Sequence, residues 1–406
     1  MKLPRLGLLP QVSGAHLVSH LHMMTIPALL PLLPRQLGVG FVEVGLALSV
    51  FNVVSALVQA PLGFAVDRIG ARRMLGLGLL VGSLCFLSLS FIHSYVWLVL
   101  AMGLAGVANG VYHPSDYALL SAGVPEKSIG RAFSIHTFAG FLGGALAPGL
   151  LLGIANIWST DAAFFVTGMA GLVALALLYL PTRAPAEPIV PRTLGAADSG
   201  TRKGGAGGLL TPAVLSLTGL YVLLNLSNGA MQSFSVSALT AGHGVSLAVA
   251  SMGVTAFMFS SAFGVLAGGW LADRTRHHGA VAAGAFTLTA ALVAVICLVA
   301  LPSFLLVAIL GVSGFLSGLI TPSRDMLVRA ASPVGAEGRV FGIVSTGFNI
   351  GGAVGPVLYG WLLDSGRPEG VFWAAVVFML LTVALSMVQE RRGARERGGL
   401  APAAAQ

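Results

Sequence analysis

Residues 112–120 read YHPSDYALL and place ionisable side chains inside a long apolar segment. Asn109, His113 and Asp116 recur at i, i+4 and i+7, which is the spacing of one helical face. A carboxylate beside an imidazole can accept and pass on a proton. Because ionisable groups are costly in an apolar helix and usually serve a function there, we interpret Asp116 and His113 as a proton-coupling pair. Asp116 could instead form a structural ion pair, or lie in water near the cytoplasmic end of its helix.

Histidines occur in two further apolar segments. His16 and His20 are four residues apart on one helical face, and His136 lies in a later segment. A pair at i, i+4 can bind zinc, but no cysteine or carboxylate lies on the same helix to complete a ligand set. We therefore expect no metal and no cofactor. These histidines are expected to line a cavity or to share a proton.

One cation also lies within an apolar segment. Arg324 could hold an anionic substrate or pair with Asp116, although its neighbour Asp325 could neutralise it instead. Asp325 and Arg329 have the i, i+4 spacing of a structural pair. Other polar side chains in apolar segments could bond a substrate or, equally, a neighbouring helix. They are Asn225, Asn228, Gln232, Thr321 and Asn349.

The elements that carry these residues are membrane-spanning helices. Of 406 residues 56% are hydrophobic and 9% are charged, whereas a soluble protein carries roughly 25% charged residues. Apolar runs of about 20 residues recur, each long enough to cross a bilayer. The sequence predicts an all-α membrane protein with twelve spans, at about 13–34, 43–66, 74–92, 95–120, 131–154, 161–180, 211–236, 246–271, 280–301, 303–328, 338–362 and 371–388. The first span contains histidines and lacks a convincing cleavage site, so we interpret it as retained.

Charge and composition predict the domains and the orientation. Residues 181–210 are rich in Pro and Gly and form a linker between six-helix bundles at 1–180 and 211–389, with a tail at 390–406. Of 22 Lys and Arg, 19 lie in the termini, in the even-numbered connections or at the start of the span that follows such a connection. The positive-inside rule then places both termini and the linker in the cytoplasm. The basic residues are spread over short loops, which argues against nucleic-acid binding.

The two bundles repeat each other. Residues 110–133 align without a gap on residues 318–341, an offset of 208. The offset matches Pro114 to Pro322 and Asp116 to Arg324. Polar stripes fall on spans one, four, seven and ten, whereas spans three, six, nine and twelve contain no His, Asn or Gln and no charge apart from Asp161, the first residue of span six. Two repeated halves of this kind are the plan of one class of secondary transporters, with the polar stripes lining a central cavity.

The connection between spans two and three reads GFAVDRIGARR at residues 63–73. It resembles the cytoplasmic loop signature of the major facilitator superfamily, and a weaker copy occupies 268–279. The resemblance covers nearly the whole chain. It implies a conformational latch on the cytoplasmic side, formed by Gly63, Asp67, Arg68, Gly70, Arg72, Arg73, Asp273 and Arg274. Topogenic charge is the alternative role for Asp67 and Arg68.

At subfamily level, YHPSDYALLS followed by GRAFSIHTFAGFLGGALAPG is similar to the fosmidomycin-resistance type of bacterial efflux transporter. The arginine usual in span four of drug–proton antiporters is absent, and Met102 occupies its approximate place. The glycines before Pro148 resemble an antiporter signature, but Pro356 has similar surroundings, so internal repetition could explain both.

Together these features predict a monomeric secondary transporter in the inner membrane of a bacterium. It would export a small molecule, driven by protons, through alternating access in the lipid bilayer. Uptake of a small organic anion by proton symport is the first alternative. An intramembrane enzyme would need a nucleophile–base pair or a metal triad, and neither is visible in the sequence. A receptor is disfavoured because no sizeable soluble domain is present.

Overall fold

The chain folds into long α-helices, as seen in a computed structural model that describes residues 6–125, 128–181, 211–272, 274–275, 277–330 and 337–399. The predicted linker falls almost entirely outside these ranges, as does Asp273. The helices are α1 (Leu8–Leu29), α2 (Leu33–Leu37), α3 (Phe41–Ile69), α4 (Ala71–Leu89), α5 (Tyr95–Gly123), α6 (Ile129–Ile157), α7 (Thr160–Leu178), α8 (Pro212–Gly229), α9 (Ser235–Gly242), α10 (Leu247–Ala272), α11 (His278–Leu298), α12 (Ser303–Ala330), α13 (Glu337–Asp364) and α14 (Glu369–Gly399).

Within the described ranges and apart from the short α2, these helices form the twelve predicted rods, because α8 and α9 join through a π-helical turn at Ala230–Phe234 into one rod. Among the described residues, ten of these rods are long and apolar enough to cross a membrane. Large apolar side chains such as Phe64, Phe91 and Phe304 are more than 70% exposed. Exposed rings of this size along apolar helices fit a lipid-facing surface. The fold is an all-α membrane protein.

Local chemistry explains where several helices begin and end. Gly70 separates α3 from α4 and has φ +102°, a conformation that favours glycine. Ser159 caps α7, because its hydroxyl oxygen accepts a hydrogen bond from Ala162 N at 3.1 Å. Thr211 caps α8 in the same way, with Pro212 at the first helical position.

The helices group into two compact units. The first contains Met1–Lys203 together with Pro356–Asp364, and the second contains Gly204–Gly355 together with Ser365–Gln406. The end of α13 groups with the first unit because Asp364 caps α3: its two carboxylate oxygens accept hydrogen bonds from Phe41 N and Val42 N, each at 2.8 Å. A carboxylate at a helix N-terminus also interacts favourably with the helix dipole.

Inside the first unit, α1 packs against α4, α5, α6 and α7. Its approach to α6 depends on glycine, since a Cβ on Gly143 would collide with the backbone carbonyl of Leu17. The second unit repeats this contact at the same offset of 208: Gly351 on α13 packs against Asn225 on α8. Small residues at such crossings let helices in lipid approach closely.

Three features of the helices were not foreseen from the sequence. The short helix α2 follows α1, and the π-helical turn that interrupts the seventh rod contains the predicted site residue Gln232. The last helix continues to Gly399, so the first ten residues of the segment expected to be a tail extend α14. A single π-turn shifts the helical register by one residue over too short a stretch for apolar patterning to reveal it.

Candidate functional site

Three helices of the first unit bring His16, Asp116 and His136 together. His16 lies on α1, Asp116 on α5 and His136 on α6, and all three side chains are buried. Gly140 on α6 makes room for them, because a Cβ there would lie 2.7 Å from Cδ2 and Nε2 of His16. The glycine-rich stretch of α6 therefore determines how close the imidazole of α1 can come to that of α6.

The two imidazoles face the same carboxylate oxygen. His16 Nδ1 lies 3.1 Å from Asp116 Oδ2, and His136 Nε2 lies 3.6 Å from it. The two rings stack with their centroids 3.9 Å apart and their planes inclined by 26°. One nitrogen of each imidazole therefore faces Asp116 Oδ2. Whether that nitrogen carries a hydrogen or a lone pair depends on the tautomer of the histidine.

The polar atoms of this cluster are close but poorly bonded. The 3.1 Å separation of His16 and Asp116 is an ion-pair distance, yet its angles are not those of a hydrogen bond. Within the described ranges, neither Asp116 oxygen and neither His136 nitrogen has a hydrogen-bond partner. Buried polar groups normally have hydrogen-bond partners, so a bound proton or another ligand would stabilise these atoms.

Two more histidines adjoin the cluster on its open side. The ring of His20 lies 4.7 Å from that of His16, and the ring of His113 lies 5.3 Å from it. His20 is half-buried and His113 is exposed, next to the exposed Tyr117. The predicted pair of His113 and Asp116 therefore belongs to one group of five ionisable side chains, in which Asp116 is buried and His113 is exposed. The other three are His16, His20 and His136.

Not every histidine of α1 joins this group. The buried His22 places Nε2 3.2 Å from the carbonyl oxygen of Thr167 on α7, and its ring contacts that of Phe86. His22 therefore serves the packing of the first unit.

The second unit places different chemistry at the repeated positions. The offset of 208 matches His16, Asp116 and His136 to Leu224, Arg324 and Val344. The Arg324 guanidinium lies over the rings of Tyr221 and Phe348, with Cζ 4.8 and 5.0 Å from their centroids. Stacking on aromatic rings stabilises a cation in an apolar bundle.

The other predicted site residues have more modest surroundings. Asn109 donates a hydrogen bond to Ser55 Oγ at 2.7 Å, which joins α5 to α3. Among those of the second unit, Asn349 is exposed. The half-buried ones are Asn225, Asn228, Gln232 and Thr321. Asn225 also packs against Gly351.

The loop signature divides into anchored and exposed members. Arg72 donates hydrogen bonds to the carbonyl oxygen of Leu178 and to Gln11 Oε1, both at 3.1 Å, and so ties the start of α4 to the end of α7. Asp67, Arg68 and Arg73 are exposed. In the second copy of the loop, Arg274 folds back over the ring of Trp270, 4.0 Å from its centroid.

The cluster also has the composition of a metal site. In the described part of the chain, one ligand atom from each of His16, Asp116 and His136 lies within 4.8 Å of the others. The spacing of residues along a single helix does not predict this group, because its members lie on three helices. The sequence offered one clue, namely an ionisable residue in each of these three apolar helices.

Within the described part of the chain, the long apolar helices, the repeated helix crossings and the buried ionisable cluster are features of a multi-pass membrane protein. The sequence model of the Major Facilitator Superfamily matches residues 12–224 and 217–405. The chain belongs to this family.

Two bacterial relatives match over longer stretches. The multi-drug resistance efflux pump PmrA of Streptococcus pneumoniae is 24% identical over 383 residues, covering 89% of this chain and 90% of the relative. The fosmidomycin resistance protein of Escherichia coli is 25% identical over 279 residues, covering 66% and 65%. The resemblance expected from the sequence is confirmed at the level of the superfamily.

Solved structures share the fold. A bacterial homologue of the human lysosomal transporter Spinster superposes with a TM-score of 0.75 at 16% identity, covering 95% of this chain and 96% of that one. The chain spans 40% and 42% of the length of the first two curated relatives it matches, the second of which is a probable anion transporter of Oryza sativa.

Proposed function

We propose that this protein is a proton-driven exporter of a small molecule, working by alternating access, with Asp116 as the coupling carboxylate. The observation that carries the proposal is the fully buried Asp116 between His16 and His136 in an otherwise apolar bundle. An ionised carboxylate without full hydrogen bonding in such surroundings costs several kcal/mol. A proton removes that cost.

The surrounding histidines give the proton a route. His20 and His113 lie between the buried cluster and the exposed end of the group. Histidine exchanges protons readily near neutral pH, so a chain of imidazoles can pass a proton to a buried carboxylate. A conformation that buries Asp116 favours the protonated form, and one that exposes it to water favours release. That difference links the proton gradient to the transport cycle.

The remaining predicted site residues take supporting roles. Polar side chains of α1, α5, α8 and α12 are proposed to bind the substrate. The signature residues Asp67 and Arg68 are proposed to act as the cytoplasmic latch. Wild-type turnover of an Asp67→Asn variant would contradict the latch.

The relatives favour export as the direction. PmrA is described as an efflux pump, and the fosmidomycin resistance protein by the resistance it confers. We propose that the protein lies in the inner membrane with both termini in the cytoplasm, because 19 basic residues lie in the termini, in the even-numbered connections or at the start of the span that follows one. We also propose that it acts as a monomer.

The test is transport in proteoliposomes with an imposed pH gradient and a panel of labelled small molecules, with a chelator present throughout. Asp116→Asn should abolish gradient-driven accumulation and leave downhill exchange of the substrate intact. The matched control is Asp161→Asn, which removes a carboxylate that also contacts a histidine, His93, but is 38% exposed. Wild-type accumulation by Asp116→Asn would refute the proposed coupling site.

A second candidate function is uptake of a small organic anion by proton symport. Arg324, held over two aromatic rings, favours it, because guanidinium binds carboxylate and phosphonate groups through two parallel hydrogen bonds. The same assay separates the candidates. Symport accumulates an anion on the side that protons enter, whereas export accumulates substrate on the side they leave.

A further inference from the structure

We propose that His16, Asp116 and His136 form a binding site for a divalent transition-metal ion of the Zn²⁺ type. The proposal deepens the proposed function, since the ion and the coupling proton would compete for one cluster. The three ligand atoms lie within 4.8 Å of one another and come from three different helices. Two imidazoles and one carboxylate are a ligand set found in zinc sites that keep a further position open.

The distances agree with the size of the ion. Zinc bound tetrahedrally at 2.0–2.1 Å by nitrogen and oxygen holds its ligand atoms about 3.3 Å apart. The two separations from Asp116 Oδ2 are 3.1 Å to His16 Nδ1 and 3.6 Å to His136 Nε2. Each of these two separations is within a few tenths of an ångström of that spacing, and all three ligand atoms lie within 4.8 Å of one another.

The bonding of the cluster points to a ligand. His16 Nδ1, His136 Nε2 and both oxygens of Asp116 are buried, and none of them makes a hydrogen bond to a described residue. A simple ion pair would be expected to align its N–H with the carboxylate. These atoms converge without that alignment, as lone pairs do around a cation.

The contrast with other histidines makes the assignment specific. His22 is equally buried but faces a backbone carbonyl, and His93 contacts Asp161 and is 47% exposed. His20, which is half-buried, and His113, which is exposed, adjoin His16. Either imidazole, or water, can complete the coordination.

Metal binding at this site must depend on pH. Histidine binds a metal only through a neutral, unprotonated nitrogen, and the carboxylate must be ionised. Protons taken up by His16, Asp116 or His136, or by the neighbouring His20 and His113, therefore weaken binding. Among the described residues, Tyr112 and Tyr117 are further ionisable groups close to the cluster, and the ring centroid of Tyr117 lies 6.2 Å from that of His136. Affinity is expected to fall steadily as the pH is lowered.

The test uses purified full-length protein in detergent, stripped with a chelator and titrated with Zn²⁺ alone by calorimetry and with Co²⁺ alone by visible absorption. We expect one ion per chain and the strong absorption bands of four- or five-coordinate Co²⁺. His16→Asn and His136→Asn should each weaken Zn²⁺ binding at least tenfold. His93→Asn is the control, because it removes a histidine that also contacts a carboxylate, and it should bind as the wild type does.

A second measurement does not depend on how variants fold. X-ray absorption at the zinc edge of the wild-type complex should show at least two imidazole ligands, and fewer than two would contradict the proposed site. No binding by the wild type, octahedral Co²⁺ bands, or unchanged affinity in both His16→Asn and His136→Asn would overturn the proposal. These titrations need no gradient or organic substrate, and the proton-coupling assay contains a chelator. Either result can therefore fail while the other stands.

Discussion

At the scale of single residues, burial assigns different roles to side chains that look alike in the sequence. Asp116 and Asp161 both contact histidines, but the first is fully buried and the second is partly exposed. Arg72 and Arg73 are adjacent in the loop signature, yet only Arg72 is bonded to the end of α7. The signature therefore contains both packing residues and residues free for a conformational role.

The loop signature yields a prediction at this scale. Arg72→Gln should lower the free energy of unfolding, by about 1.5–3 kcal/mol for each hydrogen bond of the charged guanidinium that is lost, and with it the melting temperature. Asp67→Asn should leave stability unchanged and lower turnover, since its side chain is exposed in the structure. Melting temperature and initial transport rate, measured on the same preparations, separate the two effects.

Arg73→Gln is the matched control for the arginine change, because Arg73 is exposed. It should match the wild type in stability. Equal melting temperatures for all three variants would contradict the packing role of Arg72.

At the scale of helices, glycine positions determine which side chains can meet. Gly143 allows α6 to approach the backbone of α1, and Gly140 gives space to the rings of His16 and His20. The buried cluster exists because two helices approach closely one turn away from it. In the second unit the corresponding crossing carries Phe348 where the first has Gly140, and there an arginine stacks on the ring.

Gly140→Ala tests this dependence. The added methyl group would lie 2.7 Å from the ring of His16 and 3.0 Å from that of His20, so both rings must move. Overpacking of this kind typically costs about 1–3 kcal/mol. We expect a lower melting temperature and loss of gradient-driven transport.

The control is Gly153→Ala on the same helix, where nothing lies within 4 Å of the added methyl group. It should be neutral or stabilising by up to about 1 kcal/mol, since alanine favours helix more than glycine does. If both variants behave alike, Gly140 has no special part in shaping the cluster.

At the scale of the whole molecule, one repeated framework carries two kinds of chemistry. The glycine-mediated crossing occurs in each unit, at Gly143 with Leu17 and at Gly351 with Asn225. The first unit places two histidines and an aspartate beside it, whereas the second places an arginine over aromatic rings. A division of labour between the halves would let a proton and a substrate be bound by separate sets of residues.

The orientation is a prediction for the whole molecule. A reporter fused after Gly204, in the linker, should be active only as a cytoplasmic protein, because basic residues concentrate in the even-numbered connections. A reporter inserted at Gly366, in an odd-numbered connection, should be active only outside the cytoplasm. The same compartment for both insertions would overturn the count of spans.

The sequence by itself determined the fold of this protein, because hydropathy and length act locally along each helix. Runs of about 20 apolar residues, the repeat at offset 208 and the loop signature were enough to predict twelve helices and the family. It also identified Asp116, His113 and His136 as ionisable groups that an apolar helix would not carry without a reason.

Only the tertiary structure decided which of these groups meet. His16 and Asp116 are 100 residues apart, and their contact depends on the rotation of α1 and α5 about their axes and on the space that Gly140 leaves. Periodicity gives the face of a helix but not the neighbour that the face meets. For that reason the sequence paired His16 with His20 on one helix, while the structure places His16 against a carboxylate and an imidazole from two others.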